Sequence, residues 1–74
     1  MEAQKFMVFL FPSVSYTLKA EKIIKEKGVA YKVIPVPRHI SSDCGVCLRV
    51  AVEQQGLAAE VLQGLVTWER MVLL

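Results

Sequence analysis

Residues 44–52 read CGVCLRVAV, and whether they form a strand or a helix decides the predicted fold of this chain. As a helix, the segment would be apolar on almost every side. As a strand it has two faces, one made of Val46, Leu48, Val50 and Val52 and the other of Cys47, Arg49 and Ala51. The alternation and the β-branched residues favour the strand, so we predict the third strand of a sheet here.

Residues 5–11 (KFMVFLF) predict the first strand, which Pro12 ends because proline cannot donate to a strand ladder. Its apolar side chains point to both faces, which is typical of a central strand covered on both sides. Residues 13–27 predict a helix. Ser13 or Ser15 caps its start, and Gly28 ends it in a left-handed turn.

Residues 29–36 predict a second strand. Pro35 and Pro37 restrict it to the edge of a sheet. A weaker helix is expected over residues 53–63, closed by Gly64. Gly56 either lies inside this helix, where it costs about 1 kcal/mol relative to alanine, or marks its start. Its predicted buried side consists of Leu57, Ala58, Val61 and Leu62. Residues 65–74 alternate again and predict the last strand.

This order of elements, β-α-β-β-α-β, predicts an α+β fold of the ferredoxin-like, split β-α-β type in one domain over residues 1–74. The sheet would have four antiparallel strands, with the first and third in the centre and both helices on one face. The other face would then expose apolar side chains. We therefore expect a homodimer that covers this face.

Composition narrows the class of protein. Of the 74 residues, 54% are hydrophobic, but the longest apolar run, residues 6–11, is far shorter than the roughly 18 residues of a membrane span. The net charge of +2 comes from nine basic and seven acidic residues, and no aromatic residues interleave with a basic stripe. We expect a cytoplasmic protein with no signal peptide, no membrane association and no nucleic-acid partner.

The loop at residues 38–45 contains the predicted site. Cys44 directly precedes Gly45, which leaves room for an approaching backbone or ligand. Arg38, and His39 when protonated, would favour the thiolate form of Cys44, whereas the nearby Asp43 carries an opposing charge. Hydroxyl groups of two neighbouring residues could donate to the sulfur anion, namely Ser41 and Ser42. The alternative is a buried, inert cysteine beside a serine-rich turn.

Cys44 and Cys47 also match the C-x-x-C spacing of dithiol redox and zinc motifs. On a strand, residues three apart are separated by about 10 Å, whereas a disulfide needs Cα atoms within about 7 Å. A disulfide between the two is therefore not expected. A structural zinc site needs four ligands, and the chain offers at best Cys44, Cys47 and His39 with Asp43, so we expect no bound metal. We also expect no cofactor.

Several segments resemble the small selenium/sulfur carrier-like domain family over about residues 9–50. They are FPSVS at residues 11–15, LKAEK at 18–22, PVPR at 35–38 and ISSDCG at 40–45. The resemblance implies that Cys44 carries a sulfur or selenium atom, received from a donor protein and passed to an acceptor protein. It also implies that the residues around the thiol form the binding site for the carried atom, namely Arg38, Ser41, Ser42, Asp43 and Gly45.

Together with this resemblance, the loop favours a carrier protein rather than an enzyme, with a persulfide or selenosulfide on Cys44. Two alternatives stay open. One is a dithiol–disulfide redox protein in which Cys47 is the secondary thiol. The other is a non-catalytic interaction module whose loop only docks a partner.

Overall fold

The computed structural model describes residues 5–40 and 45–74, so the predicted site residues Ser41, Ser42, Asp43 and Cys44 lie outside the described residues. Within the described part, the elements follow the chain as four strands, two α-helices and one short 3₁₀ helix. Their bounds are β1 Phe6–Leu10, α1 Val14–Glu26, β2 Lys32–Pro35, β3 Val46–Ala51, the 3₁₀ helix Val52–Gln54, α2 Gln55–Leu62 and β4 Arg70–Leu73.

The four strands form one antiparallel sheet in the order β2-β3-β1-β4. This confirms the α+β class, the four antiparallel strands, the two helices and the central position of the first and third strands. The 3₁₀ helix between β3 and α2 was not in the predicted order of elements. It contains Val52, which the prediction had placed at the end of the third strand.

Segment 46–51 forms a strand, as its alternation predicted. Leu48 lies opposite Phe9 of β1, and both side chains are fully buried on the face that the helices cover. Cys47 points to the other face, where it packs with Val8 and Leu10. Strand β1 is buried on both faces, as expected for a central strand.

Both helices pack against the same large core. Helix α1 buries Thr17, Ala20 and Ile24, and its chain ends in a left-handed turn at Gly28, where φ is 77°. Helix α2 is shorter than predicted and buries Ala58 and Leu62. The prediction was wrong for Leu57, which is 49% exposed. The side of α2 that packs on the core carries Ala58 and Leu62, four residues apart, and Leu57 lies off that side.

The sheet face opposite the helices, the second face, is partly covered by the chain itself. Val8, Leu10 and Cys47 are buried there within the single chain, and the half-buried side chains of Ile34, Val36, Ile40 and Val72 pack against them. The prediction that the apolar residues of this face need a second subunit was therefore too simple. A returning segment, residues 36–40, covers part of the face that the helices leave free.

Candidate functional site

The predicted loop starts and ends at the same place, the end of the β2–β3 ladder. Pro35 pairs with Val46, and one residue further the Val36 N–H donates to the Gly45 carbonyl oxygen at 3.1 Å. Gly45 is thus held against the last part of β2. Because Cys44 directly precedes Gly45 in the sequence, this hydrogen bond fixes the attachment point of the predicted carrier residue.

A turn follows β2 directly. The Ile40 N–H donates to the Pro37 carbonyl oxygen at 3.0 Å, which leaves Arg38 and His39 exposed at the two central positions. The Ile40 side chain packs against the buried cluster of the second sheet face. Its carbonyl oxygen accepts a hydrogen bond from Arg70 Nη1 at 3.3 Å. Strand β4 therefore holds the turn onto the sheet.

A pocket of about 180 Å³ lies beside Gly45. Four separate segments meet around it: the residues between β1 and α1, the end of β2, the start of β3 and the start of β4. Its polar lining includes Ser13, Glu69 and Arg70. We name this feature the Gly45 pocket.

The amino-terminal end of α1 lies at this pocket. Ser13 is the N-cap: its backbone is extended, and its hydroxyl accepts a hydrogen bond from the Tyr16 N–H at 3.4 Å. In the first turn of a helix the amides have no partner within the helix, and the helix dipole favours an anion there. The α1 terminus can therefore stabilise negative charge in the Gly45 pocket, which Ser13 and Val14 line.

Thr17 anchors this helix end to the start of β3. The side chain is 1% exposed, and its hydroxyl lies 3.2 Å from the Ser13 carbonyl oxygen and 3.3 Å from the Val46 carbonyl oxygen. A buried hydroxyl needs such partners, since leaving it unpaired costs about 1–3 kcal/mol. Thr17 thereby connects the cap of α1 to the residue that follows Gly45.

Cys47 has a different environment. Its side chain is fully buried on β3, and burial raises the pKa of the thiol because the thiolate would lose its hydration. A raised pKa leaves less thiolate at neutral pH. A role as a resolving thiol would require the centre of the sheet to open first.

We expect Cys47 to react with iodoacetamide at least about tenfold more slowly in the native protein at neutral pH than in urea. The reason is that both accessibility and thiolate fraction are low in the folded state. Alkylation rates followed by mass spectrometry of proteolytic peptides measure this directly. Equal rates in buffer and in urea would contradict the burial of this thiol.

The structure brings together only part of the predicted site. Gly45 lines the pocket, while Arg38 and His39 lie exposed on the turn and do not line it. Sequence reasoning missed Arg70 and the anchoring role of Thr17. Ser13 could have been found, because it was a predicted helix cap inside one of the segments that carry the family resemblance. Arg70 could not, since its place depends on the pairing of β4.

Two further features bear on function. Among residues 5–40 and 45–74, no group of three or more His, Cys, Asp or Glu side chains is placed to hold a metal ion. No helix in the described part of the chain combines the length and apolarity needed to cross a membrane.

Comparison with known proteins gave one family. No curated protein matches the chain, and no solved structure matches it. The model of the family described as "Putative Se/S carrier protein-like" matches residues 6–67, which is a longer stretch than the segments that carry the resemblance. The match includes both helices and the first three strands, with the Gly45 attachment point inside it. The chain therefore belongs to the Se/S carrier protein-like family.

Proposed function

We propose that this protein carries a sulfur or selenium atom on Cys44, as a persulfide or selenosulfide, and transfers it to an acceptor protein. Membership of the family supports the carrier role in general. The observation that carries the specific proposal is the Gly45 pocket, where the α1 amino terminus and Arg70 meet beside the residue that follows Cys44. Cys44 is proposed to present its sulfur to this pocket.

The transfer balances without an added oxidant or reductant. The Cys44 thiolate attacks the outer sulfur of a persulfide on the donor protein, so that a new S–S bond forms and the old one breaks. The electron pair of the broken bond leaves on the donor's thiolate, and the outer sulfur stays on Cys44 as a persulfide. For selenium, the outer atom of a donor selenosulfide moves in the same way. An acceptor thiolate then repeats the step on Cys44.

This chemistry needs an anionic sulfur, and the residues of the pocket favour one. The α1 amides and the Arg70 guanidinium would stabilise a thiolate and lower the pKa of its thiol, as cations and helix amino termini do elsewhere. Arg38, on the adjacent exposed turn, would add to this effect. Glu69 also lines the pocket and opposes it, as Asp43 would. Ser41 and Ser42 complete the proposed binding site around the Cys44 sulfur.

The two alternatives receive less support. A dithiol redox protein would use Cys47 as the second thiol, yet this side chain is fully buried and burial raises its pKa. An interaction module would not depend on the thiol at all. Alkylating Cys44 separates the readings, since it would leave partner binding by such a module intact and would abolish sulfur carriage.

We expect the Cys44 thiol to have a pKa clearly below that of an ordinary cysteine, and Arg70→Gln to raise it. The variant removes a positive charge from the pocket and the hydrogen bond to Ile40. The alkylation rate of Cys44 against pH, resolved by peptide mass spectrometry, gives this pKa.

The matched control is Lys25→Gln, which removes one positive charge near the opposite end of α1. It should leave the pKa of Cys44 nearly unchanged. A wild-type pKa above about nine, the range of a thiol that gains nothing from its surroundings, would contradict the proposal.

The remaining predictions belong to the same proposal. The strand order, with the first and third strands in the centre, supports assigning the fold to the ferredoxin-like class. Action in the cytoplasm fits a protein that works with free thiols. A homodimer remains a prediction. Light scattering that shows only monomer at tens of micromolar would contradict it.

A further inference from the structure

Charge is distributed unevenly between the two sides of this protein. The helical side, α1 with its C-cap, the 3₁₀ helix and α2, has equal numbers of basic and acidic residues. They are Lys19, Lys22, Lys25 and Lys27 against Glu21, Glu26, Glu53 and Glu60. The rest of the chain has five basic and three acidic residues, so the entire net charge of +2 belongs there. Two of those acidic residues, Glu2 and Asp43, lie outside the described residues.

Four of these five basic residues lie on, or on the turn beside, the sheet face opposite the helices. Lys32 and Arg49 are cross-strand partners, and Arg49 is also the partner of Val8, which is buried on this face. Arg70 pairs with Leu10 of the same buried cluster. Arg38 sits on the turn whose Ile40 packs against that cluster. We name this surface, Lys32, Arg38, Arg49 and Arg70 around Val36 and Ile40, the basic sheet face.

Like charges on neighbouring strands destabilise a sheet when nothing compensates them. Lys32 and Arg49 are such a pair, and the Arg49 Nε is buried without a hydrogen-bond partner among residues 5–40 and 45–74. The guanidinium of Arg49 lies over the Phe6 ring, 4.1 Å from its centroid, which offsets part of this cost. The repulsion between Lys32 and Arg49 remains, and an acidic partner would offset it.

We propose that the basic sheet face docks an acidic surface of a partner protein. Complementary potentials speed the encounter of two proteins and fix their register. Between the charges lie half-buried apolar side chains, Ile34, Val36, Ile40 and Val72, which match the mixed character of protein interfaces. The surface borders the turn that leads to Cys44. The partner would therefore be the donor protein or the acceptor protein of the proposed sulfur transfer. Only this identification of the partner rests on the proposed function.

A nucleic acid is the other anionic partner that such a face could attract. Single-stranded nucleic acids bind through exposed aromatic rings on which bases stack. Phe6, the aromatic residue that belongs to this face, is half-buried and covered by Arg49. The observations therefore favour an acidic protein surface.

The test uses a fluorescently labelled peptide of alternating glutamate and leucine as the probe, with fluorescence anisotropy as the readout. We expect the peptide to bind the full-length protein, more weakly as salt increases. Lys32→Glu/Arg38→Glu should weaken binding at least about tenfold. Lys19→Glu/Lys22→Glu, which makes the same change of charge at two exposed positions on α1, should weaken it less than about twofold.

Three results would overturn the proposal: no binding of the glutamate–leucine peptide, an equal loss in both double variants, or tighter binding of an oligouridylate of the same charge. Circular dichroism confirms that the variants are folded. The readout does not involve Cys44, so Cys44→Ser should bind the peptide like the wild type. Failure of docking can therefore be distinguished from failure of the carrier chemistry. The carrier chemistry is tested separately, by loading Cys44 with inorganic polysulfide in the absence of any partner.

Discussion

Replacing Cys44 with serine is expected to abolish sulfur loading of this protein completely. A hydroxyl at this position is not ionised at neutral pH and cannot form a persulfide, so the proposed transfer has no acceptor atom. After incubation with a cysteine desulfurase and cysteine, mass spectrometry should show the added mass of one sulfur atom on the wild type. The mass should disappear from the Cys44→Ser variant.

The matched control is Cys47→Ala, which removes the other thiol of the chain. Because Cys47 is fully buried on β3, we expect this variant to load sulfur at close to the wild-type level. Peptide mapping of the wild type should locate the added mass on Cys44. Sulfur found on Cys47, or loading that survives in the serine variant, would contradict the assignment of the carrier residue.

Phe9→Ala is expected to lower the free energy of unfolding by about 3–5 kcal/mol, the largest effect on stability that we predict for a single substitution. Phe9 is fully buried at the centre of the sheet. Its ring also packs edge-on against Trp68, with the ring centroids 5.4 Å apart and an interplanar angle of 88°. A small domain has a total stability of only about 0.05–0.15 kcal/mol per residue, so the variant would be close to unfolding.

Urea denaturation followed by circular dichroism measures this change without depending on Trp68 fluorescence, which the substitution itself would alter. Phe9→Leu keeps part of the buried volume and should fall between the wild type and the alanine variant, even if the alanine variant does not fold. Leu65→Ala, at a side chain that is 55% exposed, should change stability by less than about 0.5 kcal/mol. A loss below about 1 kcal/mol for Phe9→Ala would contradict the proposed core.

Most of the fold could be predicted from local sequence patterns, because each strand and each helix places its own apolar side chains toward the core. The alternation of Leu48 and Val50 against Cys47 identified β3, and the prolines at and after the end of β2 identified an edge strand. Patterns did not predict the segment over the second sheet face. The fact that Ile40 returns to that face depends on a turn and on a hydrogen bond from Arg70, which lies 30 residues away in sequence.

For the candidate site, the sequence predicts only a chemistry, and the reactive thiol stays a prediction. Cysteine, arginine and serine in one loop indicate a reactive thiol from their side-chain properties alone. The pocket beside Gly45 is a matter of three-dimensional assembly, because it joins the cap of α1 to the first residues of β4. The spacing of residues along the chain does not indicate that Ser13 and Arg70 line the same cavity.

The position of Thr17 has a consequence for how the protein matures. Its hydroxyl contacts Val46, 29 residues further along the chain, and Arg70 joins the same region only when β4 pairs with β1. Contacts between distant residues form late in folding, because a long loop must close first. A nascent chain that has emerged only as far as Cys44 would therefore carry an ordinary, slowly reacting cysteine. The activation proposed for Cys44 would wait for the finished tertiary structure, which would protect the thiol from premature modification during synthesis.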